Sequence, residues 1–410
     1  MQRVRMSLPY FEEFGWKADV VSVKLSHSDM VTDELLAESL PEGVKVYYVD
    51  AFSKKWTAKF GLGSIGLRSL YFFRKKVNSL LQQKSYDLIY FSTTQFPVCV
   101  LGAYWKKKFG VPYVIDMQDP WHSDFYQDKP KAERPPKYWA AYRISKYLEP
   151  IAMRNVDGLI SVSAGYLTTL AERYSNCKRA PQKVITFGAF EPDMEIARQN
   201  VSKLLPAFSK KEKELSVVYV GRGGKDMAHA TALLLRSFKE GLEQGQPGFE
   251  RIHFYFIGTS YAAAGQGIPT IAPIAEMLGV GSYVTEITDR IPFYQTLNTL
   301  DAASALFIPG SNDPHYTASK IYPYVLAEKP LLAFFHPASS AVTFLKACGA
   351  GTVLTFDQEE VEIEEQMIRF LSALANNSTA VPSLNQEVIN EYSARTMTRK
   401  QCELFNAVVK

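Results

Sequence analysis

Short apolar runs alternate with longer helical patterns along almost the whole chain. The strand-like runs fall at 19–24, 44–49, 88–91, 113–115, 158–162 and 184–187. After a polar interval they resume at 215–220, 252–257, 283–286, 305–308, 331–335 and 351–355. Most are rich in Val, Ile, Tyr and Phe without strict alternation, the pattern of strands covered by helices on both faces. Two successive sets of alternating strands and helices predict an α/β protein of two doubly wound, Rossmann-like domains.

The interval at 190–214 holds Glu191-Pro192-Asp193, a polar helical pattern and the charged run Lys210-Lys211-Glu212-Lys213-Glu214. The expected organisation is an N-terminal domain over 1–190, a linker over 191–213 and a second domain over 214–383. A C-terminal helical pattern over 384–410 is expected to pack back on the first domain. The chain opens on an amphipathic helical pattern, 2–14, stopped by Gly15. A doubly wound domain ordinarily begins with a strand and a glycine turn. That first strand is missing from this numbering: it is genuinely absent, the start is misassigned, or the product is truncated.

Composition narrows the function classes. A length of 410 residues exceeds one average core, and 47% hydrophobic with 13% aromatic content excludes bulk disorder. A net charge of +4 makes no case for a nucleic-acid binder. Cys99, Cys177, Cys348 and Cys402 are scattered, which suggests a reducing compartment without structural zinc. His27, His229, His253 and His336 have no carboxylate or cysteine at ligand spacing, so no metal site is expected. No signal-peptide pattern is visible, and the uncharged run 88–105 is interrupted by Ser92, Thr93, Thr94, Gln95 and Pro97. The chain reads as cytoplasmic.

Two segments carry candidate chemistry. After the strand 215–220, Gly221-Arg222-Gly223-Gly224-Lys225 forms a tight turn ahead of a helical pattern. Glycines let a ligand approach the backbone, and Arg222 and Lys225 add positive charge, which suits a diphosphate. At 319–333, Ser319 and Lys320 open a short apolar helix, and Glu328-Lys329-Pro330 ends it before the next strand. Two cationic helix starts in one domain could face one anionic ligand.

VVYVGRGGK, FYFIGTS, ALFIPG and SKIYPYVLAEKPLLA, in that order, resemble the donor domain of retaining glycosyltransferases of the GT-B fold, family four ("glycosyl transferases group 1"). YDLIYFSTTQFP, VPYVIDMQDPW and NVDGLISVSAGY are similar to the acceptor domain of the same family. The resemblance implies two doubly wound domains facing a central cleft. It also implies transfer of a sugar, with retention, from a nucleotide-sugar to a glycan or lipid-linked acceptor in surface polysaccharide or glycolipid synthesis. It implies no metal and no cofactor, the nucleotide-sugar being a substrate. Arg222 and Lys225 would neutralise the leaving diphosphate, Gly221, Gly223 and Gly224 would shape the turn, and Thr317, Ser319 and Lys320 would line the opposite wall. Pro323 and His315 stand where the family often carries a glutamate and its companion for the ribose, and a proline accepts no hydroxyl hydrogen bond. A non-catalytic protein binding nucleotide-sugar or a partner enzyme, and a nucleotide-sugar epimerase, are the alternatives.

The acceptor is expected on the first domain, at Asp116–His122 beyond the strand 113–115. Asp119 would accept a hydrogen bond from the acceptor hydroxyl, Trp121 would stack on a sugar and His122 would bond a phosphate or hydroxyl. Asp-Pro also reads as turn chemistry and Trp121 as packing. The segment 51–86 carries Lys54, Lys55, Lys59, Arg68, Arg74, Lys75, Lys76 and Lys84, no acid, and interleaved aromatics. Such a segment can lie on an anionic membrane surface, here the inner face, or form a solvated helix face over core aromatics.

Overall fold

The structure, a computed structural model, describes residues 2–27, 33–122, 124, 127, 130, 131, 134, 138–311 and 320–410. The chain divides into two compact units. The first comprises Met1–Met30, Leu40–Gly188 and Ala394–Lys410; the second comprises Val31–Ser39 and Ala189–Ser393.

All strand pairing within the named sheets is parallel, as expected of chains whose strands are separated by helices. The first unit holds β1 (Asp19–Val23) paired with β2 (Lys45–Val49). It also holds a four-stranded sheet in the order β3 (Ile89–Ser92), β4 (Tyr113–Met117), β5 (Gly158–Ser161), β6 (Gln182–Val184). β4 and β5 are buried along their full length, which is why their sequences are apolar without alternation. Helices Val100–Phe109, Tyr138–Met153 and Ala164–Arg173 contribute Leu101, Trp105, Ala152, Met153, Leu167 and Leu170 to the core around them.

The opening pattern is a helix only over Gln2–Ser7; Pro9 follows, and two short 3-10 turns, Leu8–Tyr10 and Glu12–Phe14, lead to Gly15. Arg3 is fully buried and donates to Asp116 Oδ2 at 2.7 Å, Ile185 O at 2.7 Å and Thr186 O at 3.0 Å. The tail is broken into Gln386–Glu391 and Ala394–Val409. The latter lies in the first unit, where Phe405 packs on Phe11, Trp16 and Tyr90.

The second unit is built on one six-stranded sheet: β7 (Leu215–Val220), β8 (Ile252–Ile257), β9 (Val284–Ile287), β10 (Ala305–Pro309), β11 (Leu331–Phe335) and β12 (Thr352–Thr355). Their spatial order, β9-β8-β7-β10-β11-β12, reverses direction between β7 and β10. Phe238, Phe249, Phe254, Phe256, Phe307 and Phe334 form an almost fully buried aromatic core. The polar helical pattern after 190 is a helix, and the interval belongs to the second unit. Glu191–Gln199 is a helix that buries Asp193, Met194 and Ala197, and Asp193 accepts from Tyr294 Oη at 2.8 Å within the second unit.

Candidate functional site

In an open parallel sheet the crevice beyond the strand ends lies where strand order reverses. In the second unit the two connections at that place are the glycine turn after β7 and the one leading to the helix Ile321–Leu326 after β10. β7 and β10 pair only at Val217–Ala305 and Val218–Leu306, so the ladder opens before β7 ends. Tyr324 fills the opening: its hydroxyl accepts from Val220 N at 2.8 Å and donates to Val220 O at 3.1 Å. The helix after β10 is thereby tied to the last residue before the turn.

The turn itself is pinned to β8 and its extension, with Gly221 N donating to Ile257 O at 2.9 Å and Gly223 N to Thr259 O at 2.7 Å. Gly224 has φ +146°, a conformation that side chains rarely adopt, and it leads into the 3-10 turn Lys225–Met227 and then the helix Ala228–Glu243. The sequence places these glycines in a tight turn, and that is where they lie.

Arg222 forms a two-pronged pair with Asp226, Nη1–Oδ1 2.9 Å and Nη2–Oδ2 2.7 Å. Hydrogen bonding from Arg222 holds the Asp226 carboxyl below its usual range. Lys320 stands at the start of the helix Ile321–Leu326, reachable by solvent yet crowded by protein atoms. Desolvation first, then the charges of Arg290 and Arg222, pull its ammonium down to about 8. The charges of Arg222 and Arg290 thus both reach Lys320, and of the three only Arg222 forms an ion pair with a carboxylate among the described residues. Lys225 is exposed at the end of the turn. Thr317 and Ser319, expected on the opposite wall, and His315 lie outside the described residues. Pro323 sits in the helix after β10, as its place in the sequence required.

Arg290 escapes the motif reading. It follows β9 by three residues, its guanidinium lies 5.1 Å from the Tyr261 ring centroid, and it is exposed. The available signal was its position: a polar Thr288-Asp289-Arg290 cluster just past a strand end, on the same sheet edge as the glycine turn. Tyr324 carried no signal, since a tyrosine in an apolar helix reads as core.

The first unit corrects two expectations at the end of β4. Trp121 is not a sugar platform: it is 8% exposed and stacks on Phe96, with centroids 5.5 Å apart and planes at 22°. His122 is turned inward, its Nδ1 3.2 Å from Glu149 Oε1 and 3.0 Å from Arg173 Nη1, with Tyr142 edge-on. Both are held by the core rather than presented to a ligand. Asp119 differs: it is exposed at the surface, and neighbouring protein raises its carboxyl above the usual range by partial desolvation. Asp116 is sealed in, with Arg3, Tyr90, Ser92 and Gln118 all directed at Oδ2. Its charge pushes the buried Tyr90 phenol further up, beyond the effect of burial.

The basic segment divides by face. In the helix Ile65–Gln83, Leu70, Phe73, Val77 and Leu81 pack on the core, while Tyr71 is exposed. No helix among the described residues is long and apolar enough to cross a membrane, and none of their His, Cys, Asp and Glu side chains form a metal-binding group.

No family model matches the sequence, and no curated protein is similar to it in sequence. Solved structures are similar in fold. HepE of Anabaena, in complex with UDP-glucose, is 15% identical with a TM-score of 0.55, over 98% of this chain and 94% of that one. The sucrose-phosphate synthase of Thermosynechococcus elongatus is 13% identical with a TM-score of 0.56, over 98% and 92%. WaaG, a glycosyltransferase involved in lipopolysaccharide biosynthesis, is 14% identical with a TM-score of 0.51, over 95% of each chain. The fold is GT-B, with two Rossmann-like domains on parallel sheets.

Proposed function

We propose that the protein is a glycosyltransferase that binds a nucleotide-sugar, a UDP-sugar by analogy with HepE, on its second unit. The acceptor, a glycan or lipid-linked molecule, binds on its first. The observation that carries this reading is the pairing, at the strand-order reversal of the second sheet, of a glycine turn bearing Arg222 with a helix start bearing Lys320. Arg290 adds a third charge to the same place.

A leaving diphosphate gains negative charge as the bond from the anomeric carbon to its oxygen breaks. Fixed cations placed there beforehand stabilise that charge without reorganising. The acceptor hydroxyl oxygen forms the new bond to the anomeric carbon, and its proton passes to a base. Asp119 is the candidate to accept a hydrogen bond from that hydroxyl. Lys225, exposed at the end of the turn, is a fourth cation, assigned to the ligand's outer phosphate. Thr317, Ser319 and the glycines of the turn would contribute to donor binding. Retention of configuration and independence from metal belong to this reading.

The missing carboxylate at Pro323 favours one rival, a protein that binds nucleotide-sugar without transferring it. The two are separated by incubating the protein with UDP-glucose and following sugar and nucleotide by proton NMR. The proposal expects UDP release that depends on Arg222, with glucose appearing first as the α anomer through slow transfer to water. Binding without any UDP release, with or without candidate glycan acceptors, would favour the non-catalytic reading. A changed sugar released without an acceptor would favour an epimerase.

A further inference from the structure

The glycine turn of the donor site is held in place by a carboxylate outside the cluster of cations. Glu286 lies in β9, half-buried, and four donors converge on it. Its Oε1 accepts from Thr259 Oγ1 at 2.7 Å and from Thr270 N at 3.0 Å. Its Oε2 accepts from Ile271 N at 2.9 Å and from Ala272 N at 2.7 Å. These donors sit at the two ends of the connection that leaves β8 after Ile257 and enters the helix Ala272–Met277. Both ends also meet Gly223. Thr259 O accepts from Gly223 N at 2.7 Å, and a methyl group on Gly223 would overlap Thr270 Oγ1. Arg222 directly precedes Gly223, and its Nη1 lies 3.3 Å from the place a Cβ on Gly224 would take. One carboxylate thus draws together the two residues between which the turn is seated.

We propose that Glu286 is a positioning residue of the donor site: through Thr259 and Thr270 it clamps the glycine turn and so fixes Arg222 where it meets the diphosphate. The assignment deepens the functional reading and rests on its placing the diphosphate at that turn. A cation stabilises a leaving group without reorganisation only if its backbone is held beforehand, and the clamp supplies that hold. The chemistry requires a carboxylate. Ionised, it is acceptor-only, with about four lone-pair positions, and here four donors fill them. Nothing is left over for a ligand hydroxyl, so Glu286 acts through the turn and not on the substrate. A glutamine of the same size offers one such oxygen. Either way round, its NH2 group would face a backbone N–H, of Thr270 or of Ile271 and Ala272, and charge assistance would be lost. The connection has further anchors, Gly258 N on Ile287 O at 2.7 Å and Gly265 N on Asp289 Oδ1 at 2.9 Å. Loosening the clamp therefore leaves the connection attached to the sheet.

The test is a double-mutant cycle read by calorimetric titration of UDP into wild type, Glu286→Gln, Arg222→Ala and the double variant. Glu286→Gln is expected to weaken UDP by about tenfold or more when Arg222 is present, and by about threefold or less in the Arg222→Ala background, where the group it positions is gone. A purely structural role would weaken binding by the same factor in both backgrounds. Thr259→Val is the milder second variant. It keeps the three backbone donors on Glu286 and cuts only the bond to the residue whose carbonyl holds Gly223. A loss of about threefold is expected, again dependent on Arg222. Circular dichroism and thermal unfolding check that each variant is folded, and Thr259→Val decides if Glu286→Gln is not. Unchanged UDP affinity in the folded variants, or an equal loss with and without Arg222, overturns the proposal. Failure of UDP to bind folded wild type is a different result: it overturns the donor reading, and this assignment falls with it.

Discussion

Lys320 carries the clearest consequence at the scale of single residues. In the free protein its ammonium gives up a proton near 8, while the unfolded chain keeps it to about 10.5. A bound diphosphate would hold that proton in place. Above pH about 7, where the terminal phosphate of UDP is already fully ionised, affinity is expected to fall as the pH rises through 8, and Lys320→Met should remove the fall along with about tenfold or more of the affinity. Without ligand the sign is opposite. The folded pKa is depressed, so the charged lysine costs stability below 8 and the cost disappears between 8 and 10.5. Lys320→Met should thus raise the Tm of the unliganded protein at pH 7 while weakening nucleotide binding, and a fall in both would contradict the assignment. Buried Arg3 predicts the reverse behaviour. Arg3→Ala strands the Asp116 carboxylate inside the first unit, and denaturant unfolding should show a loss of about 3–5 kcal/mol. UDP affinity should be unchanged.

At the scale of elements, strands were legible and interruptions were not. β7, β8 and β11 fall where unbroken Val/Ile/Phe runs predict them, because full burial on both faces leaves a plain apolar signal. β6 is shorter and earlier than its apolar run, and Arg3, far away in sequence, takes the carbonyls of Ile185 and Thr186 just beyond it. The tail reads as one helix but breaks at Tyr392-Ser393, where Ser393 bridges Ala189 and Tyr392 O accepts from Ala189 N at 2.8 Å. In each case the deciding partner lies more than a hundred residues away, so no local pattern carries it. The site divides in the same way. Arg222 and Lys320 announce themselves by a glycine turn and a helix start, whereas Arg290 joins them only through the order of strands in the sheet. Trp121 and His122 misled because aromatic and imidazole side chains suit a sugar site and a packed core equally well. Element packing yields its own prediction at Gly102 in the helix Val100–Phe109. A methyl group there would come within 2.5 Å of the Tyr113 ring, so Gly102→Ala should cost about 1–3 kcal/mol, read by denaturant unfolding.

At the scale of the whole molecule, each unit has its own sheet and core, and the chain passes between them more than once. The helix Ala394–Val409 is part of the first unit, through Phe405 and through Gln401 donating to Ser7 Oγ at 2.9 Å. Deleting 394–410 should therefore lower the thermal transition of the first unit and leave a transition that UDP still raises. Loss of the UDP-sensitive transition would contradict the placement of donor binding on the second unit alone. The central claim is that Arg222, Lys320 and Arg290 form a nucleotide diphosphate site, and it is tested most directly by calorimetric titration of UDP into wild type, Arg222→Ala and Arg290→Ala at pH 7. The account predicts one site in the wild type and an affinity lower by about tenfold or more in each variant, as loss of a charge-assisted contact implies. Unchanged affinity in both variants, or no binding of UDP or UDP-glucose to folded wild type, would contradict it.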